Sequence, residues 1–269
     1  MFTQKTYHTY SLSDINVSFP SYIATDTFPS FENHFSDVLL LTGSDDKDAV
    51  HAFSCLYSIL LADPYASILF VDRGLNEDNL KKLIEHFNYI HQLQEKLNSN
   101  GVLGYRKVNW PSFPLWMKES ESIRWILLHD VMDEWKGIVG WSDVSSVLSG
   151  KLSEAIPSVY HHGVYSSGGE RKEIESGFLH SHRLSRYRSI RAHSSTPTLL
   201  LFMYDNSASK KILDALYRCG FTKKCMEDGY ETIVSMIIHE NGILIKPSLE
   251  RPMESIEPLL KRLKENYHV

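Results

Sequence analysis

Three segments of this sequence place hydroxyls, a glycine or carboxylates directly after short apolar runs: Thr42-Gly43-Ser44, Asp72-Arg73-Gly74 and Trp141-Ser142-Asp143-Val144-Ser145. In an open parallel α/β sheet, ligands bind outside the carboxyl ends of the strands, so groups in such positions are the ones that meet a nucleotide. Thr42, Gly43 and Ser44 can approach a nucleotide through backbone and hydroxyl groups, and they equally suit a plain entry from strand to helix. Asp72 suits a hydrogen bond to a base or ribose, or a turn in which its carboxylate binds the backbone near Gly74. Asp143 suits a carboxylate that holds a cation against phosphates, or one that caps or turns the chain after a buried strand. Gly43 stands alone, so the sequence has no Gly-rich phosphate fingerprint there.

The densest basic stretch is His180, His182, Arg183, Arg186, Arg188 and Arg191. Guanidinium groups can stabilise a diphosphate, which makes Arg186 a candidate nucleotide contact; a solvated loop and helix face is the other reading. His180 and His182 alternate, so a strand would put them on one face, but two histidines make a poor metal site without a third ligand. Cys55 lies on the apolar face of a helical pattern and is expected to be buried and free. Cys219 and Cys225 are close enough in sequence to pair if the chain folds back after a helix end at Gly220. There is no Gly-x-Ser-x-Gly nucleophile signature.

The elements that must position these groups follow from periodicity. Continuous apolar runs at 37–42, 66–71 and 137–142 read as buried parallel strands, and Val102 to Val108 as another. Between them lie amphipathic helices over 47–62, capped by Ser44 or Asp46, and over 76–97, started by Asn76-Glu77-Asp78-Asn79 with acids in its first turn. A helix is expected from Met117 to Glu134. After residue 158 the region His161 to Arg191 reads as loops with short elements. Beyond it come a strand Thr198 to Tyr204, a helix Ala208 to Cys219, a hairpin joining Ile233–His239 to Ile243–Lys246 around Glu240-Asn241-Gly242, and a last helix Ile256 to Asn266. Residues 1–34 form an irregular lead-in. Residues 35–269 are read as one mixed α/β domain, 35–150 its nucleotide-binding half and 151–269 its acceptor-side half. Alternating strands and helices of this kind predict a mainly parallel central sheet flanked by helices.

With 42% hydrophobic and 23% charged residues, the 269-residue chain is neither disordered nor fibrous. A net charge of −5 argues against a general nucleic-acid binder. No apolar run reaches the roughly 18 to 20 residues of a membrane span. Three cysteines exclude a disulfide scaffold.

The order of these pieces carries a resemblance. "TGSDDKDAVHAFSCLYSIL", "ILFVDRGLNEDNLKKL", "YRKVNWPSFPLWM", a helix bearing Trp125, and "GIVGWSDVSS" together resemble a metazoan, nematode-rich family of nucleotide-diphospho-sugar transferase-like proteins with a GT-A-type fold. Val71-Asp72-Arg73-Gly74-Leu75 stands where that family has a Tyr-Asp-Leu-Gly-Leu type segment, and Trp141 to Ser145 where it has its Trp-Leu-Asp strand end. "TPTLLLFMYDNSASKKILDALYRCGFTKKCMED" continues the match to about residue 228, with Cys219 and Cys225 where the family tends to carry a pair. His239-Glu-Asn-Gly242 before Lys246-Pro247 resembles the His-x-x-Gly-x-x-Lys-Pro segment of glycogenin-like transferases, with one extra residue before the lysine.

The resemblance implies a glycosyltransferase that moves a sugar from a nucleotide sugar to an unidentified acceptor. It implies Mn or Mg as cofactor, with Asp143 at the metal or diphosphate, Ser145 and His239 as further ligands, and Asp72 at the nucleoside; no residue is assigned as catalytic base. It also implies the secretory-pathway lumen, whereas residues 1–22 show no apolar signal core and, taken as complete, predict a cytoplasmic protein. A single carboxylate where two would be ideal, and the lack of the family's C-terminal Arg-Tyr-Asp-Gln-Ser type segment, point to the rival expectation. That rival is a catalytically inactive GT-A-like domain serving as a binding module.

Overall fold

A computed structural model describes residues 17–25, 38–118, 123–144, 146–148, 150–168, 172–173, 193–194, 197–220, 245–247 and 250–268. In chain order the elements are β1 (Ile23–Thr25), β2 (Val38–Asp45), α1 (Ala49–Ala62), β3 (Ser67–Gly74), α2 (Glu77–Lys96), β4 (Leu103–Lys107), α3 (Ile123–Trp135), β5 (Ile138–Ser142), β6 (Ser146–Leu148), α4 (Ile156–His162) and β7 (Val164–Gly168). They continue with β8 (Lys172–Glu173), β9 (His193–Ser194), β10 (Pro197–Met203), α5 (Ser207–Gly220), β11 (Ile245–Pro247), β12 (Glu250–Pro252) and α6 (Ile256–Tyr267).

Among the described residues, eight strands form one sheet in the order β1-β4-β3-β2-β5-β10-β7-β11. All neighbours are parallel except the two pairs made by β10, which runs antiparallel to β5 and to β7. The three apolar runs therefore lie in one mainly parallel sheet, as expected. The reason is visible in β2: all but its last residue are buried, so it needs apolar side chains on both faces. Val38 and Leu40 pack with Phe53, Leu56 and Phe87 on the α1/α2 face. Leu39 and Leu41 pack with Trp125, Trp135 and Leu216 on the α3/α5 face.

Several expectations need correction. The lead-in is not wholly irregular, because Ile23–Thr25 pairs in parallel with Leu103–Tyr105 and forms a sheet edge. Val164–Gly168, read as part of a loop-rich region, is an internal strand between β10 and β11. Its Ser166 and Ser167 are fully buried, and that polarity hid the strand from a search for apolar runs. The helix expected from Met117 begins at Ile123 among the described residues; Pro111 and Pro114 divert the preceding chain into 3-10 turns at Trp110–Ser112 and Leu115–Met117. Neither Ser44 nor Asp46 caps α1, whose N-cap is Asp48. Asp46 instead accepts hydrogen bonds from the Asn76 amide and side chain and from the Asn79 side chain, tying the end of β2 to the start of α2. Those bonds hold its carboxyl below the usual carboxylate range.

Asn76 does cap α2, accepting from the Asn79 amide at 2.8 Å, with Glu77 and Asp78 in the first turn. Of the expected hairpin, only Ile245–Pro247 is described, and it pairs in parallel with β7; its partner run lies outside the described residues. The chain then returns across the molecule. β12 pairs antiparallel with β6, and α6 packs on α1, where the Tyr267 hydroxyl donates to the Leu61 carbonyl at 3.0 Å.

The α1/α2 interface contains a titratable group. His86 is packed against Phe53, with its Nδ1 2.8 Å from the Tyr57 hydroxyl, and burial lowers its pKa. A histidine whose folded pKa is depressed binds fewer protons folded than unfolded, so its contribution is present above the unfolded pKa and lost as pH falls. Stability is therefore expected to decline from about pH 6.5 downward, and His86→Gln should flatten that part of the curve. Urea denaturation of both proteins across pH 5 to 7.5 checks this; parallel curves would refute it.

Candidate functional site

The sheet winds outward from β2 through β3 to β4, then returns by way of α3 to place β5 on the other side of β2. This reversal is a topological switch point, the kind of position at which open α/β sheets bind ligands; here the segment after β5 turns to the face of α1, where β6 packs with it. The groups at it are Thr42, Gly43 and Ser44 on β2, and Ser142 and Asp143 at the end of β5.

Side-chain alternation sorts these groups onto the two faces. Thr42 Oγ1 donates to Cys55 Sγ at 3.5 Å, and the same sulfur lies 3.4 Å from Ser142 Oγ and 3.8 Å from the Asp143 carbonyl. The Cys55 contacts thus join the ends of β2 and β5 to α1. Cys55 is buried and free, as expected, and burial pushes its thiol pKa up despite the hydroxyl contacts. That removes it as a nucleophile, since the thiolate is the reactive form. Ser44 is also fully buried on β2, and its hydroxyl has no hydrogen-bond partner among the described residues.

Gly43 is required by packing. A Cβ there would lie 2.1 Å from the Val71 carbonyl oxygen, so only glycine lets β2 and β3 pair at this register.

Asp72 adopts the turn arrangement that the sequence left open beside the nucleoside role. Its Oδ1 accepts from the amides of Gly74 at 2.7 Å and Leu75 at 2.6 Å, and its Oδ2 accepts from the Tyr105 hydroxyl at 2.6 Å. Gly74 has φ of 140°, a conformation that favours glycine, and the Asp72 carboxylate fixes that turn.

Asp143 leaves β5 on the opposite face and meets α3. Arg124 Nη1 donates to Asp143 Oδ2 at 2.9 Å. The arginine side chain is 3% exposed and the aspartate 19%. The Arg124 guanidinium also lies 4.9 Å from the Trp125 ring centroid. Sequence reasoning missed this arginine, although the signal was present: a single cation in the otherwise apolar run Ile123 to Leu128.

Of the other predicted site residues, Ser145, Arg186 and His239 lie outside the described residues, as does Cys225; Cys219 falls in α5 without a described side chain. Among the described residues no group of three or more His, Cys, Asp or Glu is placed to hold a metal ion. Of the three residues expected to hold a divalent cation only Asp143 is described, and its carboxylate faces a buried guanidinium. No helix among the described residues is long and apolar enough to cross a membrane.

No family model matches the chain, and no curated protein does. Several solved structures are similar. A galactosyltransferase LgtC in complex with donor and acceptor sugar analogues is 12% identical, with a TM-score of 0.43 over 84% of this chain and 70% of that one. Mouse xyloside xylosyltransferase 1 is 10% identical, with a TM-score of 0.44 over 78% and 84%. A 4-diphosphocytidyl-2C-methyl-D-erythritol synthase from Anaerococcus prevotii is 8% identical, with a TM-score of 0.48 over 85% and 95%.

Proposed function

We propose that this chain is a GT-A-type glycosyltransferase that takes its sugar from a nucleoside-diphosphate donor seated at the carboxyl ends of β2 and β5. The observation that carries the reading is the switch point, which brings the segment 42–44 and the Ser142-Asp143 strand end side by side on one sheet edge. The ordered motifs that resemble nucleotide-diphospho-sugar transferases meet at that same edge. In the reaction, the bond between the anomeric carbon and the diphosphate oxygen breaks, the nucleoside diphosphate leaves with the electron pair, an acceptor nucleophile bonds to that carbon, and the acceptor's proton passes to the leaving diphosphate or to solvent. Thr42 to Ser44 are buried in β2, so the nucleotide is proposed to meet the chain just beyond them, from Asp45 onward. Arg186 is proposed as a cationic partner for the diphosphate. The acceptor is left open.

A thermal-shift series with ADP, GDP, CDP and UDP, followed by the corresponding nucleotide sugars, tests this. A ligand present at a hundredfold excess over its Kd stabilises the folded state by about 2.7 kcal/mol. Stabilisation by one nucleoside diphosphate, with release of that diphosphate from its sugar ester, is the expected result. Stabilisation with no turnover for any acceptor would leave the binding-module reading instead. No shift with any nucleotide would sink both.

A further inference from the structure

We propose that Asp143 is the counter-ion of Arg124 and not a metal ligand, and that nucleotide binding at this edge does not depend on a divalent cation. The second part rests on the function proposed above; the first stands alone. Arg124 is the second residue of α3, and α3 runs back along the sheet into β5, so its start lies level with the end of that strand. The guanidinium is buried to 3% exposure and sits 2.9 Å from one carboxylate oxygen of Asp143. A buried guanidinium cannot shed its proton, and an anion at hydrogen-bond distance offsets the cost of burying its charge. A dication drawn to Asp143 would have to share that anion with a fixed positive charge at hydrogen-bond distance, in surroundings that screen poorly. Among the described residues, Asp72 on the sheet's other face supplies no free carboxylate oxygen, since both are engaged by Gly74, Leu75 and Tyr105. In this arrangement Arg124 is a positioning residue. It fixes the Asp143 side chain at the end of β5.

The test uses the full chain. First, the melting temperature of the unmodified protein is measured in EDTA and in excess MnCl2, without nucleotide; no change is expected. Second, Asp143→Asn, Arg124→Met, Arg124→Lys and the Asn/Met double variant are melted in EDTA. Each neutralising single variant is expected to lose about 5 °C or more, the double variant less than the sum of the two, and Arg124→Lys less than Arg124→Met. Third, the affinity of any nucleoside diphosphate that binds is compared in EDTA and in MnCl2, with agreement expected within about twofold. Stabilisation by MnCl2 alone that vanishes in Asp143→Asn would overturn the assignment, as would an Asp143→Asn protein with unchanged melting temperature. If the single variants do not fold, the MnCl2 arm on the unmodified protein still decides. Failure of every nucleotide to bind in either buffer would sink the proposed function and the claim of cation-independent binding, while the charge-pair cycle would still confirm or refute the role of Asp143.

Discussion

Replacing Gly43 with alanine is expected to destabilise the protein by about 3 to 5 kcal/mol, more than most single substitutions do. The added methyl would sit 2.1 Å from the Val71 carbonyl oxygen and 2.7 Å from the Val71 Cβ. Neither neighbour can swing away as the tip of a flexible side chain would. Val71 belongs to β3, which is held between β2 and β4 by ladders on both sides. Relief therefore requires the two central parallel strands to separate, with loss of hydrogen bonds along a ladder that extends from Leu39 to Asp45. Urea denaturation with an unchanged m-value would read the loss directly. A cost below about 1 kcal/mol would show that the pair can open, and that Gly43 is instead kept for access to a ligand. The distinction matters for the site, because reduced nucleotide affinity in this variant would otherwise be taken as a direct contact.

The second large effect is expected at Asp72. Asp72→Ala removes the acceptor for two backbone amides and one phenol, in a residue that is 1% exposed. Hydrogen bonds to a charged group contribute about 1.5 to 3 kcal/mol each and are not additive, so a total loss of about 3 to 4 kcal/mol is expected. Tyr105→Phe deletes one of the three partners and should cost about 1 to 2 kcal/mol. Asp72→Asn keeps an acceptor for the turn and should fall between these values. A double cycle of Asp72→Asn with Tyr105→Phe isolates the phenol contact. If Asp72→Ala cost less than about 1 kcal/mol, the turn would not depend on the carboxylate, and the nucleoside role would regain its place. If Asp72→Asn folded well yet lost nucleotide affinity, the carboxylate would serve both purposes.

The sequence by itself determined the parts whose cause is local. Val38–Asp45 and Ser67–Gly74 are legible because a strand buried on both faces has to be apolar along its length. The start of α2 is legible to within one residue, because Asn76 accepts a free amide of the helix start and the acids after it suit the helix dipole wherever the helix goes. That these strands share a carboxyl edge was legible too, since alternating strands and helices dictate parallel neighbours that end together; the strand order that makes a switch point there was not. Tertiary structure decided what depends on residues distant in the chain. Nothing in Pro197–Met203 states its direction; β10 runs antiparallel because of where the chain enters the sheet. Ser166 and Ser167 sit in an internal strand because β10 and β11 flank them, although their polarity reads as loop. Asp46 was free by composition to cap its own helix, yet it binds Asn76 and Asn79, thirty and thirty-three residues on. Asp143 shows the same limit at the site itself. A carboxylate at this strand end reads as a cation ligand or a turn residue, and neither reading names Arg124, nineteen residues earlier, which the fold brings against it. A buried charge takes whichever counter-charge the packing supplies, and only the packed structure names it.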